Sequence, residues 1–514
     1  MNNSPNSISS RATRREWIGL AVLALACVLY AMDLTVLHLA VPKLSAALQP
    51  SSVQLLWIID IYGFLVAGSL ITMGTLGDRI GRRRMLMIGA TAFGLVSVIA
   101  AFSVNAPMLI ISRAAMGVAG ATLAPSTLSL IFNMFRDPGE RARAIGVWIS
   151  SFSAGSAIGP VLGGILLEYF WWGSVFLLAL PVMVLLLILG PRVIPEYRDP
   201  NAGKLDMRSA AMSLVAILAV IGGLKQIAQD GIHMLPIFAI AGGLVVGYLF
   251  VRRQLQLKDP LIELRFFKIP TFNVALGTNV LSVFVAVGYF LFIAQYLQLV
   301  LELSPLEAGL WSLPSAVGFI VGSNVAPKYI HRFPPAVVLS TLLAVAAVAL
   351  ILLTQVGVTN GLPVIVLASV IISLALAPVF SLTTELIVGS APPEKAGAAS
   401  GVSETGAELG GALGIALLGS IGTALYRGIL ATRLPQTIPA EIAAVARDTL
   451  GAAVGAAALL PEDQRVALLN VARDAFVQGL HLAAGISAVV ALGAAVLAVT
   501  ALRRKKIQST AMAK

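Results

Sequence analysis

The chain has 514 residues, of which 58% are hydrophobic and only 11% are charged, and its formal net charge is +11. Roughly a quarter of the residues of a soluble domain are charged. This composition, with a mean hydropathy of +0.92, therefore excludes a soluble protein and predicts a polytopic membrane protein. The excess of basic residues is expected in cytoplasmic loops rather than on a nucleic-acid-binding surface. The single cysteine, Cys27, excludes an intrachain disulfide.

The first element is the N-terminal apolar run, which follows Arg11, Arg14 and Arg15. It is about 25 residues long and has no small-residue cleavage site, which predicts a retained helix rather than a signal peptide. A spanning helix needs roughly 20 apolar residues. By this criterion the sequence predicts fourteen spans, at 17–42, 53–77, 84–104, 106–130, 142–166, 171–193, 206–227, 234–251, 272–301, 306–328, 335–356, 363–388, 396–427 and 478–502.

The distribution of lysine and arginine predicts the orientation of these spans. An even number of spans places both termini on one side, and most of the 35 basic residues fall in the tails and loops of that side. Because basic loops stay in the cytoplasm, both termini are predicted to be cytoplasmic in a multi-pass protein of the cell (inner) membrane. The long loop 428–477 is then external. Its apolar positions recur every three or four residues, which predicts a helical hairpin that serves either as a simple cover or as a lid.

Charged side chains inside the predicted spans are candidates for function, because an ionisable residue in the membrane is costly. Asp33, in "YAMDLTVLHLA", lies roughly 13 Å from the outer end of its span. Asp60 and Arg113 lie at a similar depth, roughly 10 Å. This common depth predicts either a fixed Asp33–Arg113 ion pair or a carboxylate at Asp33 that titrates during transport. The role of His38 stays open between a hydrogen-bonded packing residue and a functional one.

Acidic and aromatic side chains together suggest a binding site for a lipophilic cation. Asp60 lies between Trp57 and Tyr62 in "LLWIIDIYGF". A carboxylate attracts a cation and an aromatic face can contact it; the alternative is a hydrogen bond in helix packing. Tyr30, close to Asp33, is assigned to the same substrate site.

Three glutamates in the second half of the chain complete the predicted substrate-binding set. Glu404 and Glu408 are four residues apart and therefore lie on one face of a helix. Two ionised carboxylates on that face would repel each other, so one is expected to be protonated or paired. Glu385, near the inner end of its span, is either an interfacial charge or a third substrate-binding carboxylate. The run "WWGSVF", 171–176, is interpreted as a membrane-interface marker with no site role.

Two glycine-containing motifs predict parts of the protein that move. "GTLGDRIGRRR", 74–84, places an acid and several arginines at the cytoplasmic end of a span, which suits a conformational switch; the alternative is an ordinary basic loop. In "AGSAIGPVLGG" the glycines recur every four residues, which favours tight helix contact, and a proline bends the helix. The predicted switch residues are Gly74, Asp78, Arg79, Gly81, Arg82, Gly155, Gly159, Pro160 and Gly163.

These segments resemble a known family. "GTLGDRIGRRR", the embedded Arg113 in "ISRAAMGVAGA", and "GSAIGPVLGG" are similar to the three signature motifs of the major facilitator superfamily, the third of which marks antiporters. The span count, "MDLT", "LWIIDIY" and "APPEKAGAASGVSETGAELGGALG" resemble the fourteen-helix drug:proton antiporters. The resemblance implies an all-α fold with two six-helix halves and two inserted helices. The implied divisions are a tail at 1–16, a first half at 17–195, inserted helices at 196–255, a second half at 256–502 and a tail at 503–514.

The resemblance also implies a function. Members of this group export lipophilic cations such as quaternary ammonium compounds, driven by proton influx and without any cofactor. Asp33 matches the coupling aspartate, with Arg113 beside it. Phe319 occupies a position where some relatives have an aspartate tied to dicationic drugs, which puts a dication preference in doubt. Ser403 occupies a position where some relatives have a further acid.

The implied partners are lipophilic organic cations, protons and the lipid bilayer, and we expect a monomer. The alternatives are a same-fold exporter of an endogenous metabolite and a non-transporting membrane sensor. ATP-driven transport would need a P-loop, and Gly203-Lys204 is followed by Leu205 rather than by the required serine or threonine.

Overall fold

The computed structural model describes residues 11–512, apart from 51, 199–205, 232, 304, 331 and 436. All secondary structure among these residues is helical. The described residues contain 13 helices that are long and apolar enough to cross a membrane, which confirms the polytopic class. A helix at Pro305–Ile330 occupies the position of the predicted span 306–328 but is not among those 13, so the count of fourteen stays a prediction.

The first half of the chain forms eight helices. Side-chain caps set several of their starts: Asn105 accepts a hydrogen bond from the backbone N–H of Met108 (2.9 Å), and Asp137 accepts one from Glu140 (2.9 Å). The helices are α1 (Arg14–Leu48), α2 (Ser52–Ile80), α3 (Arg82–Ala101), α4 (Ala106–Gly120), α5 (Leu123–Met134), α6 (Pro138–Tyr169), α7 (Ser174–Leu177) and α8 (Ala179–Val193).

Ten further α-helices follow among the described residues, and α11 ends in a π-helical turn at Tyr296–Val300. They are α9 (Met207–Asp230), α10 (Met234–Gln254), α11 (Pro270–Gln295), α12 (Pro305–Ile330), α13 (Pro335–Leu353), α14 (Leu362–Gly389), α15 (Ala396–Arg433), α16 (Ala440–Ala446), α17 (Leu450–Ala457) and α18 (Glu462–Met512).

The predicted external loop is helical but shorter than 428–477. α15 continues to Arg433 and α18 already begins at Glu462, because alanine-rich and charged residues continue the helices past their apolar stretches. Only 434–461 lies between them, and α16 and α17 form the hairpin there. The hydroxyl of Tyr426 on α15 donates to the carbonyl of Ala446 on α16 (2.9 Å), so the hairpin is fastened to the second half of the chain.

Buried apolar side chains form two large clusters, one drawn mainly from α1–α8 and the other from α11–α18. The two halves meet along two seams, where α2 packs against α15 and where α6 packs against α12 and α14. The inserted helices α9 and α10 pack against each other, and α9 also contacts α2 and α15. A small cluster of Ala67, Ile221 and Ala412 joins these three helices. The domain boundaries given above stay a prediction.

Both seams are tight at the end of the bundle where α1 begins, which we call the N-terminal side. A Cβ added at Gly74 of α2 would lie 2.5 Å from the carbonyl oxygen of Gly397 on α15. A Cβ added at Gly146 of α6 would lie 2.5 Å from the carbonyl oxygen of Ser323 on α12. Only glycine allows backbones to approach this closely, so the halves are in backbone contact on the N-terminal side.

Candidate functional site

Asp33 and Arg113 form an ion pair between α1 and α4. A terminal nitrogen (NH1) of Arg113 donates to Oδ2 of Asp33 at 2.6 Å. The side chain of Arg113 is 1% exposed and that of Asp33 is 11% exposed. The pairing predicted from their common depth is therefore present. Because Asp33 is slightly exposed, its carboxylate is the accessible side of the ion pair. Their role in proton coupling stays a prediction.

The Arg113 guanidinium also contacts two aromatic rings. Its central carbon lies 4.5 Å from the centroid of Tyr62 on α2 and 5.9 Å from that of Phe176 on α7. Its Nε donates weakly to the carbonyl of Ile58 (3.4 Å). The interpretation of 171–176 as an interface marker is wrong for Phe176, which is buried, although Trp171 is exposed as expected. This contact could not be predicted from the sequence, because the two rings come from helices that are distant from α4 in the chain.

Tyr30 lies at the centre of an aromatic group on the first half. Its ring centroid is 6.3 Å from that of Tyr62 and 5.8 Å from that of Phe152 on α6. Phe152 in turn packs edge-on against Trp148 at 4.8 Å. We call Tyr30, Phe152 and Trp148 the aromatic group; the Tyr62 ring is fully buried and belongs to the contact with Arg113. It provides the ring faces that a lipophilic cation requires.

Glu404 and Glu408, in the other half of the protein, lie within electrostatic range of Tyr30 in this aromatic group. Both carboxylates of α15 are close enough to interact electrostatically with the hydroxyl of Tyr30 on α1. Glu408 also interacts in this way with Tyr62, and Glu404 with Cys27. The two glutamates interact with each other as well, as their four-residue spacing predicted. The structure therefore brings acidic groups of one half and aromatic groups of the other to one place between the halves.

Trp57 and Asp60 lie on the outer part of α2. Trp57 is 46% exposed, and its ring packs edge-on against Phe64 at 6.3 Å. Asp60 is half-buried. Trp57 therefore packs along its own helix, and among the described residues no ring contact joins it to the aromatic group. The side chain of His38 lies outside the described residues.

Glu385 lies on the N-terminal side, where α14 meets α6. Its Oε2 is buried without a hydrogen-bond partner, and its carboxylate interacts electrostatically with Arg141 of α6. The Arg141 guanidinium lies 4.5 Å from the ring centroid of Phe132. A Cβ added at Gly389, one turn beyond Glu385, would lie 3.3 Å from that same ring. Glu385 thus faces a cation of the protein itself at the seam between the halves.

The motif at 74–84 joins the halves on the N-terminal side. Asp78 accepts hydrogen bonds from the backbone N–H groups of Gly397 (3.1 Å) and Ala398 (2.9 Å), at the start of α15. Arg82 forms a 2.7 Å ion pair with Asp78 and donates to the carbonyl of Pro393 (2.8 Å). A carboxylate is stabilised at a helix N-terminus by free N–H groups and by the helix dipole. The predicted switch residues Asp78 and Arg82 are therefore in a bridging position.

The remaining switch residues of this motif support the same junction. Gly81 has φ +111°, and a Cβ there would lie 2.7 Å from Oε1 of Glu196. Glu196 accepts hydrogen bonds from the backbone of Arg83 (3.0 Å) at the start of α3. Arg79 donates to the carbonyl of Asp259 (3.3 Å). Sequence reasoning missed Glu196, because it lies more than a hundred residues from the glycine that makes room for it.

The glycine stripe of α6 packs against α1. A Cβ at Gly155 would clash with the carbonyl of Val28, and one at Gly163 would lie 3.0 Å from Val36. Gly159 is buried between them. The tight helix contact predicted from the four-residue spacing is confirmed, while the side chain of Pro160 lies outside the described residues. Asp33 is on the same helix as Val28 and Val36, so the stripe holds α1 beside α6.

A search of the described residues finds no group of three or more His, Cys, Asp or Glu side chains that could hold a metal ion. The polar groups in the site are carboxylates, a guanidinium and phenols. They can bind a cation and can accept or release protons.

Comparison with known proteins agrees with this architecture. The profile of the Major Facilitator Superfamily matches residues 23–415. The multidrug efflux pump LfrA of Mycolicibacterium smegmatis is 42% identical over 496 residues, which cover 96% of this chain and 98% of LfrA. The methyl viologen resistance protein SmvA of Salmonella typhimurium is 36% identical over 475 residues, which cover 90% of this chain and 93% of SmvA.

Solved structures show the same fold. The human organic anion transporter MFSD10 (TETRAN) superimposes with a TM-score of 0.61 at 16% sequence identity, covering 94% of this chain and 99% of that one. With the family match over residues 23–415 and two relatives above 30% identity along nearly the whole chain, these findings show that the chain belongs to the major facilitator superfamily of multi-pass membrane transporters.

Proposed function

We propose that this transporter exports lipophilic cationic drugs, dyes and biocides such as quaternary ammonium compounds in exchange for protons. The observation that carries the proposal is the placement of Glu404 and Glu408 on one half opposite Tyr30 on the other. A cation bound between them would contact both halves at once. When the two halves rock against each other, such a site can open alternately to the two sides of the membrane.

The chemistry of the site favours a cationic substrate. Carboxylates supply charge, and the rings of Tyr30 and Phe152 supply faces for an organic cation. The relatives are consistent with this class, since LfrA is named a multidrug efflux pump and SmvA a methyl viologen resistance protein. Methyl viologen is an organic dication. Phe319, at the position where some relatives have an aspartate, packs against Phe380 at 6.1 Å, so Glu404 and Glu408 would have to bind both charges of a dication here.

Proton coupling is assigned to Asp33 with Arg113. Asp33 pairs with the arginine at 2.6 Å and keeps one accessible edge, so a proton that reaches it competes with the guanidinium for the carboxylate. With both termini in the cytoplasm of a bacterial cell, the N-terminal side is the cytoplasmic side. Inward proton movement down the membrane potential releases about 2.3 kcal/mol per charge per 100 mV, which drives export without a cofactor. Each chain has its own central site, so a monomer suffices.

Transport in inside-out vesicles tests the proposal. A proton gradient is imposed on vesicles that contain the protein, and ethidium, benzalkonium or methyl viologen is added. We expect each transported cation to dissipate the gradient, and Asp33→Asn to abolish this dissipation. Glu404→Gln and Glu408→Gln should raise the half-saturating cation concentration. If no cation dissipates the gradient the antiporter proposal fails, and if Asp33→Asn transports normally another residue couples the proton.

A further inference from the structure

Arg113 is a buried cation whose partners differ in kind. One partner is the Asp33 carboxylate, at 2.6 Å. Another is the face of the Tyr62 ring, whose centroid lies 4.5 Å from the guanidinium carbon. Removing the counter-charge of a buried ion is strongly unfavourable. The first partner disappears whenever Asp33 takes up a proton, whereas the attraction of a ring face for a cation does not depend on that proton.

The Tyr62 ring is fixed beneath the guanidinium by its surroundings. It is 0% exposed. Phe93 packs edge-on against it at 6.4 Å. Two glycines of α4 make room for it, because a Cβ at Gly117 would lie 2.6 Å from the Tyr62 carbonyl oxygen and one at Gly120 would lie 3.0 Å from its hydroxyl. The ring therefore belongs to the same rigid contact between α2 and α4 that positions Arg113.

The hydroxyl of Tyr62 does not explain why the residue is there. This oxygen is buried and has no hydrogen-bond partner among the described residues. A buried polar atom without a partner costs free energy. The useful contact of Tyr62 is therefore made by its ring face.

We propose that Tyr62 is a positioning residue, which keeps the Arg113 guanidinium beside Asp33 in both protonation states of that carboxylate. The proposal rests on the proposed proton coupling through Asp33. When Asp33 is ionised, Arg113 pairs with it. When Asp33 is protonated, the Tyr62 ring holds the guanidinium in place, together with the Phe176 ring at 5.9 Å. The ion pair can then form again without a change of rotamer in the long arginine side chain.

The neighbouring titratable groups are compatible with this role. Tyr62 interacts electrostatically with Asp33 of α1, with Arg113 of α4 and with Glu408 of α15, and Tyr30 of α1 lies beside it. Glu408 belongs to the other half of the protein and to the substrate site. Arg113 therefore has its ring partner within its own half, independent of whether substrate occupies the site.

The first test compares three variants in proteoliposomes at equal amounts of folded protein. Tyr62→Leu removes the ring face, Tyr62→Phe keeps it, and Phe272→Leu removes an equally buried ring on α11 in the other half of the protein. We expect Tyr62→Leu to lower the maximal rate of cation-driven proton movement by about tenfold, the order of effect of a desolvated cation–π contact. Its half-saturating cation concentration should change by less than about twofold, since the carboxylates that bind the cation are intact. Tyr62→Phe and Phe272→Leu should stay near the wild-type rate.

A second test does not require transport. Asp33→Asn mimics the protonated carboxylate, and thermal unfolding of the purified protein measures stability. Tyr62→Leu should lower Tm more in the Asp33→Asn background than in the wild type, because it then removes the nearest ring partner of an arginine that has already lost its carboxylate. Phe272→Leu should lower Tm equally in both backgrounds.

The two tests separate the inference from the proposed function. If wild-type protein shows no cation-driven proton movement, the proposed function fails, and the thermal cycle still decides whether Tyr62 supports an uncompensated Arg113. Equal effects of Tyr62→Leu in both backgrounds would overturn the positioning role. So would a loss of transport in Tyr62→Phe as large as that in Tyr62→Leu, since that would assign the effect to the hydroxyl.

Discussion

Asp78 at the end of α2 accepts a 2.9 Å hydrogen bond from the backbone N–H of Ala398, at the start of α15 in the other half of the protein. A carboxylate of one half thus caps a helix of the other. The bond can exist only while the halves are together on the N-terminal side. Its strength therefore contributes directly to the equilibrium between the closed and open forms of that side.

We expect Asp78→Asn to shift this equilibrium towards the open form. The asparagine loses the charge that the α15 N-terminus and Arg82 both stabilise, and a buried arginine without its partner costs about 3–5 kcal/mol. Labelling of a cysteine placed at Ser400, a fully buried position two residues beyond Ala398 where cysteine adds no atoms, should become faster. Asp448→Asn is the control, because Asp448 forms an exposed pair with Arg427 and such pairs contribute little. Unchanged labelling in Asp78→Asn would contradict the switch assignment.

Gly146 offers a test of the second seam. We expect Gly146→Ala to reduce transport by at least about tenfold, because its Cβ would lie 2.5 Å from a backbone oxygen of α12 that cannot rotate away. Gly164 lies on the same helix, α6, and has nothing within 4 Å of a Cβ added there, so Gly164→Ala is a matched control with the same change in helix propensity. Drug efflux from whole cells at equal expression measures both. Equal activity of the two variants would show that α6 and α12 need not touch.

The electrostatic interaction of Glu385 with Arg141 offers a way to distinguish a seam charge from a substrate ligand. If Glu385 acts at the seam, Glu385→Gln and Arg141→Gln should both lower the maximal transport rate, with half-saturating concentrations near that of the wild type, because each removes the opposite charge that the other residue faces at the seam. The exchange Glu385→Arg with Arg141→Glu should restore part of the rate. A raised half-saturating concentration confined to Glu385→Gln would instead support the sequence-based assignment of Glu385 to substrate binding.

The ion pair between Asp206 and Arg253, at the start of the inserted helix pair, should make the stability of the protein depend on pH. Asp206, just before α9, accepts a 2.6 Å hydrogen bond from Arg253 near the end of α10, and this bond lowers the pKa of the Asp206 carboxyl below its ordinary value. A lowered pKa means that the stabilisation is present above the ordinary value of about 4 and is lost as the pH falls below it. We expect Asp206→Asn to lower Tm at pH 6 and to have little effect at the lowest pH at which the protein stays folded. Thermal unfolding of the purified wild type and variant between these pH values measures the difference in Tm. A difference that grows on acidification would contradict the assignment.

Candidate residues could be predicted from the sequence in two situations: where a charged residue lies in a membrane span, and where small residues recur at a fixed spacing. Asp33 and Arg113 stood out because charges are costly in a span, and their common depth predicted the ion pair. The glycines at 155 and 163 were found through their spacing. The motif around Asp78 predicted a conformational switch, although the N–H donor at Ala398 lies more than three hundred residues away.

Some contacts are made by side chains of types that are common in any membrane helix, and these contacts could not be predicted from the sequence. Tyr62 and Phe176 are aromatic residues within apolar segments, where aromatic residues are common. Only the arrangement of α2, α4 and α7 makes them partners of Arg113. Glu385 was ambiguous for the opposite reason, since a carboxylate near a span end suits several roles. The lengths of α15 and α18 were underestimated because helix propensity continues where hydropathy ends.

The position of α9 affects how a membrane-dissolved compound can approach the protein. Leu214 and Leu218 of α9 cover Gly68 of α2, and α9 touches α15 as well, so one of the two seams is shielded from the lipid tails. At the other seam α6 packs against α12 and α14, and among the described residues neither α9 nor α10 packs against α6. The two seams are thus unequal towards the bilayer, because the inserted helix pair narrows sideways access from the lipid on the α2–α15 side alone.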